Sequence, residues 1–127
     1  MVNLRRDMIT GLVRLRVLHA AARGQVSGVE LSQDLALAGH HVGPGTLYPL
    51  LHQMEKAGWL KSKSKTVKGK RRRYYKLTKK GGVQLAEALA ALRHFLVGID
   101  AAAAVPQFAA SADGISPSSV SGMGERS

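Results

Sequence analysis

Hydrophobic side chains recur at helical spacing along the first half of the chain and predict three short helices. The first is expected from Leu4 to Arg23, because Met8, Leu12 and Leu15 are spaced by four and three residues. A second apolar stripe runs beside this one over residues 9–17, so the helix has to be covered from more than one side.

Capping signals place the next two helices. Ser27 followed by Glu30 has the pattern of a capping box and predicts the start of the second helix, which Gly39 ends. Pro44 fits the first turn of the third helix, where no amide donor is needed, and Gly58 closes that helix. The residues expected to face the core in the third helix are Leu47, Leu50, Leu51 and Met54. The outward face is expected to carry Thr46, Tyr48, Pro49, His52, Gln53 and Lys56.

After the third helix the pattern changes to strict alternation, which predicts a β-hairpin. The stretch LKSKSKTV alternates lysine with serine or threonine, RRRYYKL pairs back, and the turn is expected at Lys68-Gly69-Lys70. Because the first strand has no apolar face beyond Leu60, we expect a two-stranded ribbon that projects from the body. At least one of Tyr74 and Tyr75 is expected to pack on the third helix.

Thr78 predicts the start of a long final helix. Its apolar residues are spaced four, three, four and three, as in the seam of a coiled coil. They are Leu85, Leu89, Leu92, Leu96 and Ile99. The predicted fold is mainly α with a small β-hairpin. A winged helix-turn-helix over 4–78 is followed by a dimerisation helix over 79–104 and a disordered tail over 105–127.

The charge of the chain indicates which class of partner it binds. The formal net charge is +11, and eleven of the 20 residues from Lys61 to Lys80 are Lys or Arg. Nucleic acid is the leading partner class, an anionic membrane surface is the second, and charge alone leaves RNA open. The chain has no cysteine, which excludes disulfides, thiolate metal sites and Cys nucleophiles. With no apolar run long enough to span a bilayer and no signal peptide, we expect a cytoplasmic protein that does not enter membranes.

The third helix has the residues of a DNA recognition helix, whose N-terminal turn lies against the bases. Glycines allow close approach to phosphate, and hydroxyl, phenol, amide and imidazole groups can bond bases or phosphates. The expected DNA contacts on this helix are Gly43, Gly45, Thr46, Tyr48, Pro49, His52 and Gln53. The expected contacts of the hairpin, through phosphates, are Lys68, Lys70, Arg71, Arg72 and Arg73. The alternatives are that Pro44 and Thr46 only start a helix, that Tyr48 covers a core edge, and that the basic run is a solvated surface.

The seam of the last helix is too long to be covered by so small a body. A second copy of the same helix is the simplest cover and gives a two-fold dimer, with Met8 and Leu12 of the first helix joining the interface. Packing of the seam on the first helix alone is the alternative.

The histidines and the glycine-rich stretches carry no pattern of a metal site or an enzyme. His40 and His41 are adjacent, and the other histidines lie on separate elements without nearby carboxylates or thiolates. No catalytic constellation and no phosphate-binding loop is present, so we expect neither an enzyme nor a cofactor. His19 and His94 are polar positions on otherwise apolar helices and could line a cavity, although surface or interface histidines are the simpler interpretation.

Two motifs resemble the PadR family of bacterial transcription regulators. They are GTLYPLLHQMEKAGWL and, after it, KRRRYYKLTKKG, and the resemblance covers about residues 8 to 100. It implies a homodimeric, repressor-like protein that binds a near-palindromic double-stranded DNA operator and is released by a small aromatic or hydrophobic effector. Candidate effector contacts are Leu15, His19, His94 and Phe95.

Three departures from the family pattern concern the site. The family often has a serine where this chain has Gly43, and a tyrosine where it has Val29. The last helix lacks tryptophan and has Phe95 as its only aromatic residue, so no effector can be named. A non-specific architectural or RNA-binding protein, and a protein-interaction module of winged-helix shape, are the alternative functions.

Overall fold

The computed structural model describes residues 2–99, in which four helices and three strands follow one another. The elements are α1 (Leu4–Ala22), β1 (Val26–Ser27), α2 (Gly28–Leu37), α3 (Pro44–Lys56), β2 (Leu60–Val67), β3 (Lys70–Leu77) and α4 (Lys79–Leu96). This is a winged helix-turn-helix followed by a long helix, and it confirms the predicted fold class. The wing is defined here as β2, β3 and the turn between them.

Side-chain caps account for where the helices begin. The Ser27 hydroxyl accepts from the Glu30 amide at 3.2 Å while the Ser27 amide donates to the Glu30 carboxylate at 2.8 Å, so the predicted capping box is present. Pro44 lies in the first turn of α3, as predicted. Thr78 starts α4 by accepting a hydrogen bond from the Gly81 amide at 3.0 Å. These caps satisfy amides that have no partner inside the helix.

One hydrophobic core joins α1, α2, α3 and the base of the sheet. Its fully covered members include Val17, Leu31, Leu35, Leu47, Leu51 and Met54. Leu60 at the start of the wing and Tyr75 in β3 complete it. Burying each such side chain contributes roughly 1.5–3 kcal/mol. The core therefore fixes the helix α3 on its inner side and the wing at its base.

The sheet has three antiparallel strands in the order β1-β3-β2, and not the two that were predicted. Val26 pairs with Tyr75 on one edge of β3, while Leu60 pairs with Leu77 on the other edge. The additional strand forms because the link between α1 and α2 reaches the free edge of β3 and bonds its backbone. The wing is therefore anchored in a small sheet at its base.

The wing ends in a two-residue turn, Lys68 and Gly69, so Lys70 belongs to β3 and not to the turn as predicted. Lys68 has φ 53 and Gly69 has φ 78. Positive φ at both central residues matches the right-handed twist of the two strands.

Among the described residues the long helix α4 ends at Leu96, whereas the prediction continued it through residues 97–99. Gly98 follows with φ 81, a left-handed conformation typical of the residue just after a helix. Ile99, predicted as the last seam residue, donates to the Leu96 carbonyl at 3.1 Å in this closing turn. The described chain forms two compact units, one ending at Ala91 and the other starting at Leu92. Residues 100–104 and the predicted tail 105–127 lie outside the described residues.

Candidate nucleic-acid interface

The helix α3 is divided into a buried face and a polar, exposed face. Leu47, Leu50, Leu51 and Met54 are buried, as predicted. The exposed residues of the helix and its N-cap are Gly43, Pro44, Gly45, Thr46, Tyr48, Pro49, His52, Gln53 and Lys56. All residues predicted to contact DNA from this helix therefore lie on its solvent side, and their contact with DNA stays a prediction.

The first turn of α3 leaves open space in front of it. A Cβ atom built on Gly43 or Gly45 would meet nothing within 4 Å. The Thr46 and Leu47 amides donate to the Gly43 carbonyl at 3.1 and 2.9 Å, so the turn is closed by its own backbone. What this turn offers to a partner is therefore close approach and the Thr46 side chain.

One flank of the helix α3 is bonded to α1. An Arg14 guanidinium nitrogen donates to the Gln53 side-chain oxygen at 3.2 Å. Because arginine is only a donor, the amide oxygen has to face it, and the Gln53 NH2 group is left to face outward. Gln53 was predicted as a DNA contact, and a glutamine that reads adenine uses both its oxygen and its nitrogen. In this conformation it presents donors instead.

The opposite flank is bonded to the wing through a chain of three side chains. Ser62 in β2 donates to the Glu55 carboxylate at 2.5 Å, and Arg73 in β3 donates to the Ser62 hydroxyl at 2.8 Å. Neither Ser62 nor Glu55 was predicted as a site residue, and no sequence pattern pointed to the pair. Arg73, predicted as a phosphate contact, also ties the wing to the recognition helix.

Tyr48 occupies the space over Gly28 at the start of α2. A Cβ atom on Gly28 would lie 2.8 Å from the ring carbon that bears the Tyr48 hydroxyl. Tyr48 is 44% exposed and, with Gly28 and Val29, lines a pocket of about 270 Å³ whose other wall is Lys70–Arg73. The phenol of the recognition helix thus faces the most basic part of the wing.

The wing carries only basic charge. Lys68, Lys70, Arg71 and Arg73 are exposed and Arg72 is half-buried. Residues 60–77 contain no acidic side chain. The Lys65 ammonium lies 5.5 Å from the centre of the Tyr74 ring, a cation–π contact within the wing. A polyanion is the natural partner for such a surface.

Tyr75 lies under this surface and is 4% exposed, which confirms that one of the two tyrosines packs in the core. Burial raises the pKa of its phenol above the ordinary value of 10.0, Arg73 opposes the change, and Glu55 and Tyr48 add to it. Tyr75 therefore stays neutral and acts as a packing residue beneath the recognition helix and wing.

The residues predicted for dimerisation are only partly covered. Leu85, Leu89, Leu92 and Leu12 are half-buried, whereas Leu96 and Ile99 are 56% and 65% exposed and Met8 is 53% exposed. Gly81 is the one buried residue of α4. These side chains leave apolar surface in contact with solvent.

The residues predicted for an effector are distributed over two helices. Leu15 is half-buried and lines a groove of about 350 Å³ with residues of α1, α2 and the loop that follows. His19 is exposed in the last turn of α1. His94 and Phe95 are exposed near the end of α4, and Phe95 is 74% exposed.

Within residues 2–99, no cluster of three or more His, Asp or Glu side chains is arranged to hold a metal ion. In the same part of the chain, none of the helices has the length and apolar character needed to cross a membrane.

The fold and the surface together define a winged-helix protein of the kind that regulates transcription. The model of the transcriptional regulator PadR-like family matches residues 17–87. The transcriptional regulator Rv3488 of Mycobacterium tuberculosis is 44% identical over 87 residues, which are 68% of this chain and 81% of that protein. The chain therefore belongs to the PadR-like family of transcriptional regulators.

Solved structures agree with this fold. A PadR family transcriptional regulator from Eggerthella lenta has a TM-score of 0.63 and 29% identity, covering 75% of this chain and 88% of that one. Bacillus subtilis PadR in complex with operator DNA has a TM-score of 0.56 and 20% identity, covering 61% of this chain and 46% of that one. The second likeness concerns the fold alone.

Proposed function

We propose that the chain is a homodimeric, sequence-specific DNA-binding protein that represses its own gene or a neighbouring one. The observation that carries this proposal is the exposed polar face of α3 beside a wing with only basic charge. Family membership supports a role in transcription. The likeness in fold to a PadR protein solved with operator DNA supports the same partner.

The helix α3 is proposed to read bases in the major groove. An α-helix with its side chains has about the width of that groove, so only the outward face meets base edges. Pro49, His52 and Lys56 lie in the middle of this face, with Thr46 and Gln53 toward α1 and Tyr48 toward the wing. The wing contributes affinity through counterion release from phosphates, without reading sequence.

The seam of α4 is proposed to pair with a second copy, with Met8 and Leu12 of α1 in the same interface. The half-buried and exposed leucines of α4 support this, because apolar side chains at heptad spacing gain stability when a partner helix covers them. A two-fold dimer presents two recognition helices about 34–36 Å apart, one turn of DNA. The operator is therefore expected to be near-palindromic.

Release by a small aromatic or hydrophobic effector completes the proposal, with Leu15 and His19 of α1 as its contacts. The apolar groove that Leu15 lines on α1 supports a site on this helix. An effector that binds the free protein better than the DNA complex lowers operator affinity by its differential affinity for the two states.

A non-specific architectural protein is the second candidate, and the net charge of +11 favours it. Both candidates bind DNA, but only a sequence-specific regulator prefers one duplex over another of equal length. Specificity of 10³-fold or more is typical of regulators.

The test is fluorescence anisotropy with the DNA upstream of the chain's own gene beside a scrambled duplex, at about 50 to 200 mM salt. If the upstream duplex shows no preference, a duplex selected from random DNA replaces it. Thr46→Ala with Tyr48→Ala is expected to cost about 2–6 kcal/mol on the specific duplex, the scale of two mismatched base pairs. On scrambled DNA the same variant should bind almost as the wild type. Equal losses on both duplexes would contradict base reading by this helix.

A further inference from the structure

Cationic side chains border the recognition helix on the side opposite the wing. Arg6, Thr10 and Arg14 follow one another at four-residue spacing, so they share one face of α1. The N-terminal half of α1 and the first two turns of α3 enclose a groove of about 550 Å³. Its walls include Arg5, Arg6 and Thr10 from α1 and Gly45, Thr46 and Pro49 from α3. We call Arg5, Arg6 and Arg14 the α1 edge.

Among residues 2–99 no carboxylate pairs with the guanidinium groups of the α1 edge. Over residues 2–99 the one ion pair is between Arg16 and Asp34, at 3.2 Å. Arg5 and Arg6 are exposed, and Arg14 is half-buried with one of its nitrogens on Gln53. Three positive charges beside an exposed polar helix are thus available to an external anion.

The geometry of duplex DNA supplies such an anion. The major groove is about 12 Å wide and a helix with its side chains about 10–12 Å across, so a helix seated there lies close to the phosphates of both strands. The wing flanks α3 through Ser62 and Glu55. The α1 edge flanks α3 through Gln53. The two basic surfaces lie on opposite flanks of one recognition helix.

We propose that the α1 edge binds the phosphates of the DNA strand that the wing does not contact. This rests on the proposed function, since it assumes that α3 enters the major groove. Arg5 and Arg6 bind phosphate directly. Arg14 binds phosphate with its remaining donors and positions the Gln53 side chain.

The test compares two variants of α1 with equal loss of charge. Arg5→Gln with Arg6→Gln removes the open part of the α1 edge. Arg16→Gln with Arg23→Gln removes one arginine of α1 and the one at its C-cap, neither of which lines the groove. Arg5→Lys with Arg6→Lys keeps the charge. The melting temperature of each variant shows whether its fold is intact.

The measurement is the slope of log binding constant against log salt concentration, by anisotropy on a selected duplex and a scrambled one. The slope is negative, and each lost phosphate contact reduces its magnitude by about 0.9. The Gln variant of the edge loses two contacts, so the magnitude of its slope should fall by about 1.8. The Lys variant should keep the wild-type slope. Arg16→Gln with Arg23→Gln should keep it too.

An edge variant that keeps the wild-type slope, or loses no more than the Arg16/Arg23 control, overturns the proposal. If wild-type protein binds both duplexes equally, sequence-specific function fails, yet the slopes still decide whether the edge meets phosphate. Phosphate ethylation interference on the selected duplex identifies the strand. Ethylation of a phosphate should no longer weaken binding where the variant lacks the contact to it. For the edge variant these phosphates should lie on one strand, and for Arg71→Gln with Arg72→Gln they should lie on the other.

Discussion

The helices α3 and α4 share one sequence pattern but differ in how much of it the chain covers. Both have leucines three or four residues apart, yet α3 buries four side chains over 13 residues and α4 buries only Gly81 over 18. Periodicity therefore identifies an apolar face without saying what will cover it. For α3 the cover is this chain's own core, and for α4 we propose a second copy.

The neighbours of α3 explain the difference. Its polar flanks are bonded to α1 at Gln53 and to the wing at Glu55, and Tyr48 lies over α2 at Gly28. In the seam of α4, Leu85 packs against the edge of the core, but no seam leucine is fully buried and exposure increases toward Leu96. The apolar face of α3 is covered within one chain, whereas α4 leaves apolar surface for association.

The largest effect is expected from Leu92→Lys in the seam of α4. The variant places a lysine from each copy in the middle of the proposed interface, and an uncompensated buried charge costs about 3–5 kcal/mol. Sedimentation velocity should show a monomer at concentrations where the wild type is a dimer. Ala90→Lys adds the same charge at an exposed position off the seam and should leave the dimer intact. A dimer in both variants would show that the seam is not the interface.

Two alanine substitutions, one in α3 and one in α4, should differ in whether their loss of stability depends on protein concentration. Leu51→Ala in α3 removes a side chain that is 0% exposed and should lower the free energy of unfolding by about 2–5 kcal/mol. This loss should not change with protein concentration, because the cavity lies within one chain. Leu89→Ala in α4, at a half-buried seam position, should instead raise the dimer dissociation constant. Urea unfolding at several concentrations separates them, and a concentration-independent loss for Leu89→Ala would place that leucine in the monomer core.

The smallest effect is expected from Gly28→Ala, which acts on a flank of α3. The new methyl group would meet the Tyr48 ring, so the phenol has to move from its place beside the wing. Operator affinity should fall by about 1–3 kcal/mol, the scale of one mismatched base pair. Gly11→Ala is the control, because its Cβ would meet nothing within 4 Å and should stabilise α1 by about 0.5–1 kcal/mol. Wild-type operator affinity in Gly28→Ala would show that the position of Tyr48 does not matter.

Local signals were sufficient to predict most of the fold. The caps at Ser27 and Thr78 and the periodicity of α3 are properties of adjacent residues, so the sequence showed them directly. The strand β1 was missed because Val26 and Ser27 are too few for a strand pattern. It exists only through pairing with Tyr74 and Tyr75, far along the chain.

The candidate site was predictable in its composition but not in its connections. The outward face of α3 and the basic wing followed from spacing and charge. The bond between Arg14 and Gln53 joins residues 39 positions apart, and the one between Ser62 and Glu55 crosses from strand to helix. Such contacts depend on how the elements pack, which no local pattern records.

The contacts that hold α3 on its flanks also determine which positions are free to evolve new DNA preferences. Tyr48, Gln53 and Glu55 each have a partner on another element, so changing one of them disturbs a second element. Four other exposed positions of α3 are not among the side chains that these contacts hold. They are Gly45, Pro49, His52 and Lys56. Libraries that vary these four positions first should yield altered operator preference by single substitutions, whereas the flanking positions should require paired ones.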